Sequence, residues 1–162
     1  AILKAVRSLE IGVNRLHMEI MDSWDDDRVI KNLARINDQR IFVIAEALRR
    51  GIADVDKIHE ITKIDEWFLY KIKNITDIEN RIKVEEITPK LMLAAKNAGL
   101  ADRSIAEVAG KTMDEIRTLR KTMNILPSYK MVDTCAAEFE SATPYYYSTF
   151  HAQEDEVDTT SS

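Results

Sequence analysis

The stretch Asp65-Glu66-Trp67-Phe68-Leu69-Tyr70-Lys71-Ile72, continued through Ile75 to Ile82, decides the fold. Asp65 can accept bonds from the free N–H groups of a helix start, where a carboxylate also suits the dipole. Phe68, Ile72, Ile75 and Ile82 then recur at spacings of four, three and seven, which hold one face of an α-helix. Trp67 and Phe68 share this apolar face with Ile72 and Ile75, and all four are read as core anchors. On that reading Trp67→Ala costs roughly 3–5 kcal/mol.

The same start and stop chemistry recurs on both sides. Upstream, Asp25-Asp26-Asp27 precede an apolar stripe of Val29, Ile30, Leu33 and Ile36. Ile41, Ile44, Ala45 and Leu48 mark a second helix, stopped by Gly51. Asp54 starts a short helix with Val55, Ile58 and Ile61 inward. Downstream, Thr88-Pro89 is a cap followed by proline at the first helical position, and that helix runs through Leu91, Ala94, Ala95 and Ala98 to Gly99. Gly51-Ile52-Ala53-Asp54 returns as Gly99-Leu100-Ala101-Asp102, 48 residues later. Each copy leads into a short helix and then into one with an acidic first turn, Asp65-Glu66 in one and the capping-box pair Thr112 and Glu115 in the other. The expected fold is all-α, with about eight helices in two related units, ending in an extended irregular segment.

Composition agrees. Hydrophobic residues are 45% of the 162 and charged residues 31%, with only four glycines and three prolines. That is enough apolar material for a core and little punctuation against helices. No apolar run approaches the roughly 20 residues a membrane span needs, and the start lacks a signal-peptide pattern. One cysteine excludes an internal disulfide and fits a reducing, cytoplasmic setting. The net charge of −5 is uneven: 131–162 carries seven acidic residues and no Lys or Arg, leaving 1–130 near +2. A nearly neutral body does not steer nucleic acid strongly.

A search for chemistry finds none. His17, His59 and His151 lack helix-spaced His or Cys partners and read as surface or cap histidines. Cys135 has no local His, and a small buried thiol is its ordinary role. The glycines are isolated, so no phosphate loop forms. Asp25, Asp26 and Asp27 lack the alternating ligands and turn glycine of a calcium loop, and read as caps. No catalytic, cofactor-binding or metal residue is assigned, and no turnover is expected of this stretch alone. One unit is suggestive: 102–123 has the cadence of a DNA-binding helix-turn-helix. Its second helix opens on Asp114 and Glu115, which would face phosphates.

The final stretch is different in character. Between Pro127 and Pro144 lie small residues, one thiol, hydroxyls and aromatic rings, a poor helix and a poor regular strand. It reads as an extended strap, with Val132, Asp133, Thr134, Cys135, Phe139, Tyr145 and Tyr147 as docking residues. The run Val132-Asp133-Thr134-Cys135-Ala136-Ala137-Glu138-Phe139, followed by Thr143-x-Tyr145-x-Tyr147-Ser148-Thr149-Phe150, closely resembles the end of the oligomerisation domain of the carbamoyl phosphate synthetase large chain. The family form ends Ser-Thr-Tyr, so Phe150 departs from it. Arg7-Ser8-Leu9-Glu10, Ile64-Asp65-x-Trp67-Phe68-Leu69 and Gly99-Leu100-Ala101-Asp102 extend the resemblance along nearly the whole chain.

The resemblance implies a connector and assembly module. In that family the large chain holds two ATP-grasp halves, one making carboxyphosphate and carbamate, the other phosphorylating carbamate, with ammonia from a glutaminase small subunit. The implied partners are the flanking synthetase halves, other large chains and that small subunit, with no nucleic acid and no membrane. ATP with Mg belongs to the parent, outside these residues. The expected layout is the end of the preceding half at 1–10, the helical connector at 11–150 and an acidic linker at 151–162. A regulatory or nucleic-acid-binding domain built on 102–123 is the competing class.

Overall fold

The computed structural model describes residues 2–9, 11–132 and 145–150. Within them the chain forms eight α-helices, a 3-10 turn and one small antiparallel ribbon: α1 (Ile2–Ser8), the 3-10 turn (Glu19–Ser23), α2 (Asp26–Leu33), α3 (Arg40–Arg50), α4 (Val55–Thr62), α5 (Glu66–Val84), α6 (Pro89–Ala98), α7 (Asp102–Ala109), α8 (Met113–Thr122), β1 (Ser128–Met131) and β2 (Tyr146–Thr149).

Capping sets most of the boundaries. Asp25, Asp54, Asp65, Thr88 and Thr112 each accept a backbone N–H of the helix that follows. Thr112 and Glu115 close a reciprocal capping box. Gly51 and Gly99 end α3 and α6 in the left-handed region, at φ 69° and 93°, where a side chain would be strained.

The long helix α5 is the hub. It packs against α3, α4, α6 and α7, while α2 lies on α3 and α8 on α7. Its inward face presents Leu69, Ile72, Ile75, Ile78 and Ile82. Leu3 and Val6 of α1 join the same core, and Arg7 donates to the Gly99 carbonyl at 3.3 Å.

The two units share their first turn closely. Ile52 N–H bonds Ala47 O, and Leu100 N–H bonds Ala95 O, at 3.1 and 3.0 Å. They then fall out of step. Asp54 is the cap residue before α4, but the cap before α7 is Ala101, so Asp102 already lies inside its helix. Gly51 and Gly99 are 48 residues apart, whereas the next caps, Asp65 and Thr112, are 47 apart.

Three expectations are corrected by the fold. Trp67 and Phe68 are not core anchors: they are 59% and 53% exposed. Trp67 lies off the buried stripe, with its helix neighbours at i+4 and i+7, Lys71 and Asn74, also exposed, whereas Leu69 in the same turn is buried. Phe68 borders an open hollow beside Ile41, Ile44 and Ile64. Ile72 and Ile75, one and two turns further in, are buried. Ile36 is 88% exposed because α2 stops at Leu33, before the stripe reaches it. Finally, the ends of the closing stretch form regular strands: β1 pairs with β2 from Ser128↔Thr149 to Met131↔Tyr146. Two short stretches supply each other's backbone partners without needing high strand propensity. Asp133, Thr134, Cys135 and Phe139 lie outside the described residues.

Candidate functional site

Two arrangements stand out, one of buried charge and one of exposed rings. The first surrounds segment 11–24, whose one regular element, the 3-10 turn, leaves carbonyls to be satisfied from elsewhere. Arg49 and Arg50, at the end of α3, supply the donors. Arg49 Nη2 donates to Leu16 O at 2.6 Å, while Arg50 donates to Met21 O and Trp24 O, both at 2.7 Å. Each guanidinium is neutralised from behind. Arg50 Nε donates to Glu46 Oε1 at 2.7 Å, and Arg49 also bonds Glu46. Arg49 Nη2 reaches Glu79 Oε2 of α5 at 2.8 Å. The two carboxylates are nearly inaccessible, Glu46 at 4% and Glu79 at 2%.

Burial alone would raise the Glu46 carboxyl. His17 beside it, the Arg50 bond and the Arg49 and Arg50 charges outweigh this and lower it to about 2. His17 is not a surface histidine: its ring sits between Asp22 at 3.4 Å and Glu46 at 3.7 Å. The second distance is too long for a hydrogen bond, and His17 Nδ1, Trp24 Nε1 and Glu79 Oε1 are buried without one. His59 braces the α4–α5 connection, with Nδ1 2.7 Å from the Ile64 carbonyl. The cluster is an internal clamp. Its cations face carbonyls and carboxylates, and no nucleophile stands beside a base. Among the described residues no group of His, Cys, Asp and Glu could hold a metal. Asp25 caps α2 and Asp26 pairs with Arg50 at 3.3 Å.

The second arrangement is the ribbon. Tyr129, Met131, Val132, Tyr145, Tyr146 and Tyr147 are all exposed, and Val132 N–H extends the ladder to Tyr145 O at 2.7 Å. A two-stranded ribbon is marginal by itself, and this one is fastened at its end. The Phe150 ring lies 4.8 Å from Lys96 Nζ and 5.4 Å from the Arg120 guanidinium. Both cations are held by Asp102, at 2.9 Å from Lys96 and 3.1 Å from Arg120. Burial pushes the Lys96 ammonium down. Burial would raise Asp102, but the bonds from Arg120 and Lys96 prevail and lower it.

Of the docking residues read from sequence, the structure thus places Val132, Tyr145 and Tyr147 together on one exposed ribbon. The clamp and the Phe150 bracket join residues far apart in the chain and leave little local pattern in the sequence. A usable signal existed in Glu46 and Arg50, an i, i+4 pair directly before a stop glycine.

The model of the carbamoyl-phosphate synthetase large chain oligomerisation domain matches residues 1–124. The chain belongs to this family. It is 48% identical over 98% of its length to a carbamoyl phosphate synthase large chain of Caldanaerobacter subterraneus subsp. tengcongensis, and 49% over 98% to one of Thermoanaerobacter sp.. It is also 47% identical over 93% of its length to the large chain N-terminal section of Aquifex aeolicus. The chain spans 15% of the first two relatives' length and 27% of the third's. In this oligomerisation domain, then, the notable exposed chemistry is aromatic. Helices α7 and α8 follow each other across Gly110 and pack together, and Glu115 is engaged with Thr112 through backbone and hydroxyl. No helix of the described residues is long and apolar enough to cross a membrane.

Proposed function

We propose that this domain is the non-catalytic connector of a glutamine-hydrolysing carbamoyl phosphate synthetase large chain. It joins the carboxyphosphate and carbamoyl phosphate halves and carries contacts between large chains. The ribbon is the observation that carries this reading: six exposed apolar and aromatic side chains on paired strands, anchored through Phe150 to a helical body of the oligomerisation family. Tyrosine suits such a surface because its ring buries while its hydroxyl stays wet. Asp133, Thr134, Cys135 and Phe139 are proposed to continue the docking surface. ATP, Mg and the glutaminase small subunit are assigned to the rest of the parent, whose cytoplasmic setting is part of the proposal.

The test uses the full-length large chain with its small subunit. Tyr145→Ser with Tyr147→Ser is expected to raise ATP consumed per carbamoyl phosphate formed, or to lower the assembly state in sedimentation. A folded variant with unchanged coupling and unchanged assembly overturns the connector reading.

A further inference from the structure

The misplaced anchors point to a second surface. At the open end of α5 lie two adjoining hollows of about 250 and 390 Å³. Ile41, Ile44, Ile64, Phe68 and Ile72 line the first, and Trp67, Phe68 and Ile75 the second, with Lys71, Asn74 and Asn97 at its polar side. Ile2, the first described residue and the start of α1, lines both. Trp67 and Phe68 meet edge to face with centroids 4.9 Å apart, and Lys71 Nζ lies 5.0 Å from the Trp67 ring centroid. The rings are therefore braced in place while more than half exposed, so little side-chain freedom remains to be lost on contact.

We propose that this surface seats the polypeptide immediately N-terminal to Ile2 in the large chain, through apolar side chains entering the two hollows. This rests on the connector reading and adds a partner and a place. Two arguments select that occupant over a second copy. The first is position: any chain preceding Ile2 leaves from the shared edge of both hollows, and the relatives have most of their length outside the matching stretch. The second is size. Two rings of roughly 200 Å² each, about half exposed, offer a few hundred Å², against about 800 Å² per partner in a standing interface. A tethered segment needs far less, because its effective concentration reaches about millimolar.

Hydroxyl-radical footprinting of the native full-length large chain tests this, with the buried Trp24 as internal reference. Trp67 and Phe68 are expected to be shielded, Trp67 oxidising within about threefold of Trp24, and this shielding should persist on about hundredfold dilution, as tethering requires. Oxidation of Trp67 about tenfold or more faster than Trp24, as free exposure demands, overturns the proposal. Shielding that disappears on dilution also overturns it, and assigns the surface to a second copy. A further arm needs no unfolding-prone variant: Trp67→Ser, on an exposed site, should speed proteolysis N-terminal to Ile2 about tenfold, whereas Ile36→Ser should not. Equal cleavage in both counts against the seat. The ribbon tyrosines are read in the same footprint. Shielded Tyr145 and Tyr147 beside an open Trp67 sink this inference alone, while the coupling and assembly assay separately decides the connector reading.

Discussion

Glu46→Gln isolates the charge of the internal clamp while keeping the shape of the side chain. The Glu46 carboxyl is lowered from 4.5 to about 2 in the folded chain. At 1.36 kcal/mol per unit this gap amounts to about 3 kcal/mol of stability at neutral pH. The sign follows from the direction. A carboxyl depressed by folding stabilises fully above its unfolded value, and the contribution is lost as pH falls from about 4.5 through about 2. Glutamine cannot ionise, so the variant should be about 3 kcal/mol less stable at pH 7, or lower in Tm by about 6–12 °C. The gap should shrink to under half of that by about pH 3. Urea unfolding of both chains, followed by helical circular dichroism between pH 7 and pH 3, measures it. A difference that stays constant over this range would refute the reasoning, since the loss would then come from packing and not from ionisation.

Other expectations are quicker to check. Trp67→Ala in the isolated chain should cost under about 1 kcal/mol, as for an exposed site, whereas Ile72→Ala should cost about 2–5 kcal/mol by leaving a cavity. Chemical denaturation of both variants side by side reads the contrast. Thr112→Ala removes one arm of the capping box and should lower stability by about 1 kcal/mol. Phe150→Ala should release the ribbon without unfolding the helices, seen as faster hydrogen exchange at Ser128–Met131 with unchanged helix content. Purified chain is expected to show no ATP or glutamine hydrolysis above background, and turnover abolished by a substitution within these residues would contradict that.

Helix boundaries were legible because capping is local. Asp25, Asp54, Asp65, Thr88 and Thr112 announce their helices within three residues, and the structure uses each side chain as the letters suggest. Periodicity was less complete. It places Phe68 in line with Ile72 and Ile75 but does not say whether a neighbouring side chain fills the hollow beside it, and Trp67, five residues before Ile72, lies off that line. The Ile36 stripe fails for a related reason, since spacing alone does not mark where α2 stops. The ribbon was out of reach because its partners, such as Ser128 and Thr149, meet across an intervening stretch of sequence. The clamp depends on segment 11–24, which has no periodicity to read, and only its folded course explains why two half-buried arginines meet two buried glutamates. Composition marks Tyr145 and Tyr147, which are exposed, but it gives no sign that Trp67 is exposed as well.

The one-residue slip between the two units has a consequence for what their aspartates do. Along an α-helix one residue is a rotation of about 100°, so losing a residue re-aims side chains as well as shortening the loop. Asp54 remains at its helix entrance, bonded to the Lys57 N–H at 2.8 Å. Asp102, carried one step inward, instead grips Lys96 and Arg120. The two turns are therefore not interchangeable parts. A recombinant carrying the first copy's phasing in the second position would recover a cap but strand two mostly buried cations. The platform beneath Phe150 would go with them, so a change of register at one turn would be felt at the chain's far edge.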